Sequence, residues 1–375
     1  MDHSLTHQKP SLLMVSHCVP NAVGTPDRVR AWQLLKLATQ THTVCLICTK
    51  DGPVNLAQWR TVDRQVHHFV IGNTRPWHQK RSWWAGRIDK EKSETCIRSN
   101  AKTLGQLQGR PYDAILCTHP GLWPEIRTLE ARQRICDLYP YRHTPRQLSN
   151  AQRIAAEVDL FILDRGGDWH GLADQACPTV VLPNRIDPGF FTHLHASQIT
   201  RQYARPGLDL VLHGQWHRRH PNRVLTWFGR RVWPSIQQAV PQAQLRHTLP
   251  GHLDPLLTLS DASIVVCPET DPERARLSVL QAIAMQRPVI ASRPAPEALG
   301  VAMQDGKHLL IGDREQDWIR HGIELLQSAS ARLRLSRNAG LWIKRYTPIE
   351  QAGQALIHAL SSHVADGHGP INRAA

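Results

Sequence analysis

One stretch, residues 261–292, limits the fold of this chain more than any other. Residues 263–267 form a short apolar run rich in β-branched side chains, and residues 288–292 form a second one. Runs of this kind are typical of buried strands in parallel sheets. Between these two runs, Asp271 and Pro272 predict the start of a helix, because aspartate is a good N-cap and proline suits the first helical position. The stretch therefore predicts one β-α-β unit of a doubly wound α/β domain.

The predicted helix start is also the first candidate for a ligand site. Ligands of parallel α/β sheets bind beyond the carboxyl ends of the strands, and residues 268–276 follow such an end. Glu273, Arg274 and Arg276 fall in the first helical turn. A helix N-terminus attracts anions through its N–H groups and its dipole, and arginine side chains strengthen this attraction for phosphate. The pattern predicts a phosphate-binding turn, and the alternative is an ordinary amphipathic crossover helix.

A family resemblance begins at the same helix. Glu273, followed after seven residues by Gln281-Ala-Ile-Ala-Met-Gln-Arg-Pro-Val-Ile-Ala-Ser, resembles the Glu-x7-Glu signature of retaining glycosyltransferases of family 4 (group 1). In that family the first carboxylate meets the donor sugar, and the second holds the ribose of the nucleotide. Gln281 replaces the second glutamate, and its amide presents one acceptor and one donor group. The resemblance implies a catalytic Glu273 and donor-binding roles for Arg274, Arg276 and Gln281; Gln286 stands where a glycine is usual.

Two segments near the N-terminus add further candidates. The loop between a predicted strand at 11–17 and a predicted helix resembles the glycine-containing first loop of family 4, which implies donor-binding positions at Gly24 and Arg28. Residues 110–120 predict another strand that ends at His119. The family often carries a histidine there, close to the reacting sugars, so His119 is the second catalytic candidate. A structural role is the alternative for a lone histidine after a strand.

Other landmarks follow in the order expected for the family. Residues 179–191 resemble the segment that closes the N-terminal domain, and residues 208–214 resemble the first strand of the second domain, which ends in Gly214. Most family 4 enzymes place two cations in the next loop to neutralise the donor diphosphate, which implies donor-binding roles for Arg218 and Arg219. A solvated charge run is the alternative for this loop.

The resemblance implies two domains of the GT-B fold, an α/β architecture of two Rossmann-like doubly wound domains facing a cleft. We predict an N-terminal Rossmann-like, acceptor-side domain over residues 1–198 and a C-terminal Rossmann-like domain that binds the nucleotide-sugar over residues 206–375. The last helix is predicted to pack back on the N-terminal domain. A length of 375 residues allows each domain its own core.

The composition indicates anionic partners. The net charge of +14 suits nucleotide-sugar phosphates, nucleic acid or an anionic membrane face. Residues 75–87 interleave tryptophans with cations, a pattern that is first of all typical of a solvated loop with docked tryptophans. The functional alternatives are peripheral contact with an anionic membrane and, after it, a nucleic-acid surface. No nucleic-acid motif accompanies the charge, so no nucleic-acid partner is expected. The eight scattered cysteines predict the reducing environment of the cytoplasm, and no apolar run approaches the roughly 20 residues of a membrane span. Membrane contact through residues 75–87 would place this cytoplasmic protein at the inner membrane face.

Residues 134–139 and the Pro221-Asn222 segment resemble those of sugar transferases associated with exopolysaccharide gene clusters. This resemblance implies a bacterial glycosyltransferase of the hexosyltransferase type that serves polysaccharide biosynthesis. The resemblance implies transfer from a nucleotide-sugar to a glycan or lipid-linked acceptor, with retention of configuration and with no metal or other cofactor. Two other hypotheses stay open. One is a catalytically inactive GT-B-like protein that binds a sugar nucleotide or a partner, and the other is a basic nucleic-acid-binding protein.

Overall fold

The chain divides into two compact units, each built on one parallel sheet. The first unit contains Met1–Asn21, Asp27–Asn184 and Glu350–Ala375, and the second contains Ala22–Pro26 and Arg185–Ile349. The computed structural model describes residues 9–49, 56–72, 111–139, 145–164, 177–187, 191, 208–214, 222–248, 255–299, 303–346 and 349–365. The basic segment 75–87 and the cations Arg218 and Arg219 lie outside these residues.

The first unit has seven parallel strands in the order β3-β2-β1-β4-β5-β6-β7. Its elements are β1 (Ser11–Ser16), α1 (Pro26–Thr41), β2 (Thr43–Thr49), α2 (Leu56–Asp63), β3 (His68–Gly72), β4 (Tyr112–Cys117), a 3-10 turn (Pro120–Leu122), α3 (Trp123–Ile126), β5 (Ala131–Asp137), α4 (Pro145–Ala155), β6 (Leu160–Leu163) and β7 (Thr179–Val181). The central strands are buried on both faces, as expected for a sheet covered by helices.

The last helix of the chain completes the first unit. After the second unit, α12 (Ile349–Ala365) packs on α1, where Gly353 lies against the side chain of Leu37. The side-chain amide of Gln133 on β5 donates to the carbonyl of Ala359 at 3.1 Å. The C-terminal residues are therefore part of the first core, although they are the farthest from it in sequence.

The second unit has five parallel strands in the order β12-β11-β10-β8-β9. Its elements are β8 (Leu208–Leu212), α5 (Asn222–Trp227), a π-helical turn (Phe228–Val232), α6 (Trp233–Ala239), β9 (Ala243–His247), α7 (Pro255–Ser260), β10 (Ile264–Cys267), α8 (Pro272–Ala284), β11 (Val289–Ala291), α9 (Pro294–Leu299), β12 (Leu310–Ile311), α10 (Glu315–Gln327) and α11 (Ala329–Tyr346). The predicted β-α-β unit is β10-α8-β11, and β10 is the central strand of this sheet.

Local sequence explains where α8 begins and ends. The side chain of Asp271 accepts from the N–H of Arg274 at 3.1 Å, which satisfies one of the orphan donors at the helix start. At the other end, the N–H groups of Gln286 and Arg287 donate to carbonyls of the last turn, at 2.8 and 3.1 Å, in a Schellman motif. Gln286 has φ 54°, the left-handed region that favours glycine. The glycine usual in family 4 would meet this backbone requirement without a side-chain clash.

Candidate functional site

Buried polar side chains follow the carboxyl ends of the strands of the second sheet, and this side of the sheet is called its carboxyl edge. His213 follows β8, Thr248 follows β9, Glu269 lies two residues beyond β10, and Ser292 follows β11. Ser278 and Gln281 face the same edge from α8 and are also buried. Burial of polar groups costs free energy unless they are hydrogen-bonded, so their partners define the chemistry of this edge.

The Gln281 amide is held by hydrogen bonds at both of its ends. Its nitrogen donates to the carbonyl of Gly24 at 3.3 Å, and its oxygen lies 3.1 Å from Nε2 of His213. Because a carbonyl can only accept, the amide nitrogen must face Gly24, and its oxygen must then accept from a protonated Nε2 of His213. Nδ1 of His213 therefore accepts from the hydroxyl of Thr248, 3.0 Å away. Each group in this chain of four residues fixes the orientation of the next.

The imidazole of His213 is neutral in this arrangement. Burial lowers the pKa of His213 to about 4, although the hydrogen bond with Gln281 acts in the opposite direction. The ring therefore keeps one donor and one acceptor nitrogen across the neutral pH range. His213 was not among the predicted site residues, and the sequence signal that could have indicated it is a polar residue at the end of a buried strand.

Glu269 is a second buried residue that the sequence analysis missed. Its carboxylate accepts from the hydroxyl of Ser278 at 3.0 Å, and its backbone carbonyl accepts from the hydroxyl of Ser292. Burial, and after it the charge of Glu269, raises the pKa of the Cys267 thiol well above its usual value. The sequence signal was a carboxylate just beyond a buried strand, at the edge where α/β sheets bind ligands.

The first turn of α8 brings Glu273 and Arg276 together. Nη2 of Arg276 donates to the Glu273 carboxylate at 2.8 Å, and the arginine is only 6% exposed. Arg274 is half-buried in the same turn, next to the Asp271 cap. Arg276, which was predicted to bind a phosphate, thus binds the Glu273 carboxylate in this structure. A guanidinium carrying five N–H groups can hold this carboxylate and still donate to a bound anion.

Of the other predicted donor-binding residues that the structure describes, Gly24 and Gly214 lie in loops and Arg28 lies in a helix. Gly24 has φ 114°, a conformation that L side chains rarely adopt, and its carbonyl is the acceptor for Gln281. Gly214 follows His213 directly beyond β8. Arg28 lies in the first turn of α1. The structure therefore brings Gly24, Gly214 and Gln281 to one edge of the second unit.

The first unit has a polar edge of its own at the ends of β1 and β4. Nδ1 of His17 lies 3.3 Å from the hydroxyl of Thr118, Thr118 donates to Ser16 at 3.3 Å, and Ser16 donates to the carbonyl of Cys18 at 2.7 Å. Nδ1 of His119 accepts from the N–H of Gly121 at 3.0 Å and caps the 3-10 turn. Burial, and secondarily the charge of His17, lowers the pKa of His119 to about 4.

An ion pair is buried behind this edge. Nε and Nη2 of Arg30 donate to the two carboxylate oxygens of Asp137, each at 2.9 Å, and Nη1 donates to the carbonyl of Leu182. Both side chains of the pair are almost fully buried. Such a bidentate geometry joins α1, β5 and the segment after β7.

The described residues contain no group of three or more His, Cys, Asp or Glu side chains placed to hold a metal ion. Within the same residues, no helix has both the length and the apolar character needed to cross a bilayer.

Comparison with known proteins identifies the fold. No protein-family model matches the chain, and no curated protein matches it in sequence. HepE of Anabaena, solved with UDP and glucose, is 13% identical with a TM-score of 0.56, over 94% of this chain and 100% of that one. Sucrose-phosphate synthase of Thermosynechococcus elongatus is 14% identical with a TM-score of 0.58, over 95% and 100% of the two chains. TarM of S. aureus is 9% identical with a TM-score of 0.58, over 94% and 100%.

Together with the two parallel Rossmann-like sheets, these similarities confirm the predicted α/β fold. The chain has the GT-B fold.

Proposed function

We propose that the chain is a glycosyltransferase that moves a sugar from a nucleotide-sugar donor to a glycan or lipid-linked acceptor. The buried polar edge of the second sheet carries this proposal, since it lies where open α/β sheets bind ligands. Support comes from structural neighbours of the full chain: HepE of Anabaena was solved with UDP and also with UDP-glucose.

We assign the donor to the edge of the second unit. Glu273 contacts the donor sugar, and Arg276 positions its carboxylate through the 2.8 Å bond. Arg274, at the start of α8, stabilises the charge that develops on the leaving diphosphate, because cations and a helix N-terminus favour that charge. Gly24, Gly214 and Gln281 form the nucleoside side of the site. His119 and Arg28 are assigned to the reacting sugars and the donor, as the resemblance implies.

The central experiment separates binding from transfer. Full-length protein is screened by thermal shift against UDP, GDP and ADP and their sugars, because a ligand that binds only the folded state raises the melting temperature. The nucleotide that binds is then tested for sugar release and transfer, with and without EDTA. We expect turnover to survive EDTA and the product to retain the anomeric configuration, which NMR of the product determines.

Matched variants test the assignment of Glu273. Glu273→Gln keeps the shape and lowers turnover by a factor of about 100 or more if the carboxylate meets the reacting sugar. Glu324→Gln removes one carboxylate from an exposed position of α10 and is the control. Equal turnover in the two variants would remove Glu273 from the site. A loss of folded protein at the assay temperature that accounts for the whole fall in turnover would assign Glu273 a structural role.

A second function has one specific observation in its favour. Gln281 is only 2% exposed, and its amide is engaged by His213 and Gly24. The second glutamate of the family motif is thus replaced by an amide whose two ends are already engaged, and this loss of a carboxylate favours a protein that binds a sugar nucleotide or a partner without transferring the sugar. Binding of a nucleotide-sugar in the thermal-shift screen, with no hydrolysis or transfer at high protein concentration, would establish this function instead. Tighter, steeply salt-dependent binding to random RNA or DNA would favour the nucleic-acid hypothesis.

A further inference from the structure

Helix α11 exposes two leucines among cations on its outer face. Leu333 is 70% exposed and Leu341 is 62% exposed, and they are two of the three large apolar side chains most exposed in the described part of the chain. Arg334, Arg337 and Lys344 are exposed on the same helix. At 3.6 residues per turn, all five side chains fall within an arc of about 100°. We call them the α11 outer face.

The opposite side of α11 explains how the helix is held in the unit. Its buried residues include Leu335, Ala339 and Trp342, which anchor the helix to the core. Arg332 is also engaged, since its Nη1 donates to the carbonyls of Leu325 and Leu326 at 2.6 and 2.9 Å and caps the end of α10. The α11 outer face is thus not needed to attach the helix, and its leucines gain nothing from exposure to water.

Charge and shape on this face indicate one kind of partner. The 18 residues of α11 include five lysines and arginines and no carboxylate, so the face is complementary to a negatively charged surface. Leu333 and Leu341 are eight residues apart, or about 12 Å along the helix axis, so a flat partner can take both at once. Nucleic-acid phosphates would satisfy the cations but not the leucines. A bilayer interface satisfies both, because it combines anionic headgroups with acyl chains just beneath them.

We propose that the α11 outer face docks on an anionic phospholipid bilayer, with the helix parallel to the surface and both leucines inserted at the headgroup boundary. This site is distinct from residues 75–87. It does not depend on sugar transfer, so vesicle binding and nucleotide binding can succeed or fail separately.

The test is flotation of the full chain with vesicles of phosphatidylcholine containing about 30 mol % phosphatidylglycerol, against vesicles of phosphatidylcholine alone. Each cation near an anionic surface contributes about fivefold in affinity, so Arg334→Gln/Arg337→Gln should bind roughly 20-fold more weakly. Leu333→Gln/Leu341→Gln keeps every charge and should bind at least about tenfold more weakly, because the insertion of apolar area is lost. Arg223→Gln/Arg230→Gln removes two exposed charges from the helical segment 222–239 of the same unit and should leave binding within about twofold.

All four proteins should share one melting temperature and one thermal shift with the nucleotide, since every substituted side chain is exposed. The proposal is overturned if the wild-type chain does not float with anionic vesicles. Unchanged binding of the leucine variant would also overturn it, because charge alone would then explain the binding. The proposal is also overturned if the control variant loses as much vesicle affinity as the arginine variant. The same holds if the chain binds single-stranded RNA more tightly than vesicles and the leucine variant binds that RNA as well as wild type does.

Discussion

The substitution Gln281→Glu tests the hydrogen-bond network of the second unit directly. It restores the residue that family 4 enzymes carry and changes the shape of the side chain very little. The structure nevertheless predicts a loss of stability. A carboxylate cannot donate to the carbonyl of Gly24, which the Gln281 amide does at 3.3 Å, while its other oxygen can still accept from His213.

The size of the loss depends on pH. The folded variant can repair the network by keeping one extra proton, either on the introduced carboxyl, where burial raises the pKa, or on the imidazole of His213. The unfolded variant releases that proton above about pH 5. The folded state then binds more protons than the unfolded state, so the stability of the variant relative to wild type falls as pH rises, by up to about 1.4 kcal/mol per pH unit. We expect a deficit of about 1 kcal/mol at pH 5.5 and roughly 3 kcal/mol at pH 7.5.

Hydrogen exchange of the peptides that cover β8 and α8 measures this deficit within the second unit. Gln281→Met is the matched control, since it removes both hydrogen bonds without adding a titratable group and should show a deficit that does not change between pH 5.5 and 7.5. A Gln281→Glu variant as stable as wild type at pH 7.5, or one whose deficit is independent of pH, would show that Gly24 and His213 do not set the amide orientation.

Three further substitutions test separate parts of the fold. Gln286→Gly should stabilise the second unit by about 0.5–1 kcal/mol, because Gln286 has φ 54°, and urea unfolding measures the change. Arg30→Met leaves the buried Asp137 carboxylate without its bidentate partner and should cost roughly 3–5 kcal/mol; a loss under about 1 kcal/mol in urea unfolding would contradict this. Gly353→Ala places a methyl group against a buried leucine of α1 and should cost about 1–3 kcal/mol in thermal unfolding. In the control Gly340→Ala the added methyl group meets open space, so this variant should be neutral or stabilised by up to about 1 kcal/mol.

Local patterns in the sequence were sufficient to predict where the strands and helices of the fold lie. The buried strands are contiguous apolar runs, and the start of α8 depends on Asp271 and Pro272, which are neighbours in sequence. Strand starts are harder to predict: β3 begins only at His68, because the N–H groups of Gln65 and Val66 donate to carbonyls at the end of α2. Such ends depend on turns, which apolar periodicity does not report.

The contacts of the candidate site could not be predicted in the same way. Gln281 was selected by its position in a motif, but its partners His213 and Gly24 are 68 and 257 residues away. No local pattern indicates that a histidine after one strand will meet a glutamine on a crossover helix. The Arg276 side chain was predicted to face a phosphate, and its bond to Glu273 depends on rotamers that sequence spacing alone leaves open. The assignments of these residues to a donor remain predictions.

The return of α12 to the first unit has a consequence for how the protein is made. Leu37 is synthesised early, but the helix that covers it leaves the ribosome only after the whole second unit. At roughly 10 residues per second, this leaves an apolar surface of α1 uncovered for about 30 seconds. The second unit has no such delay, since its segment from Arg185 to Ile349 is nearly continuous. Chaperones that hold nascent chains should therefore engage the N-terminal part of the protein longest. A stop codon directly after Ile349 should release a chain whose second unit folds while the first aggregates.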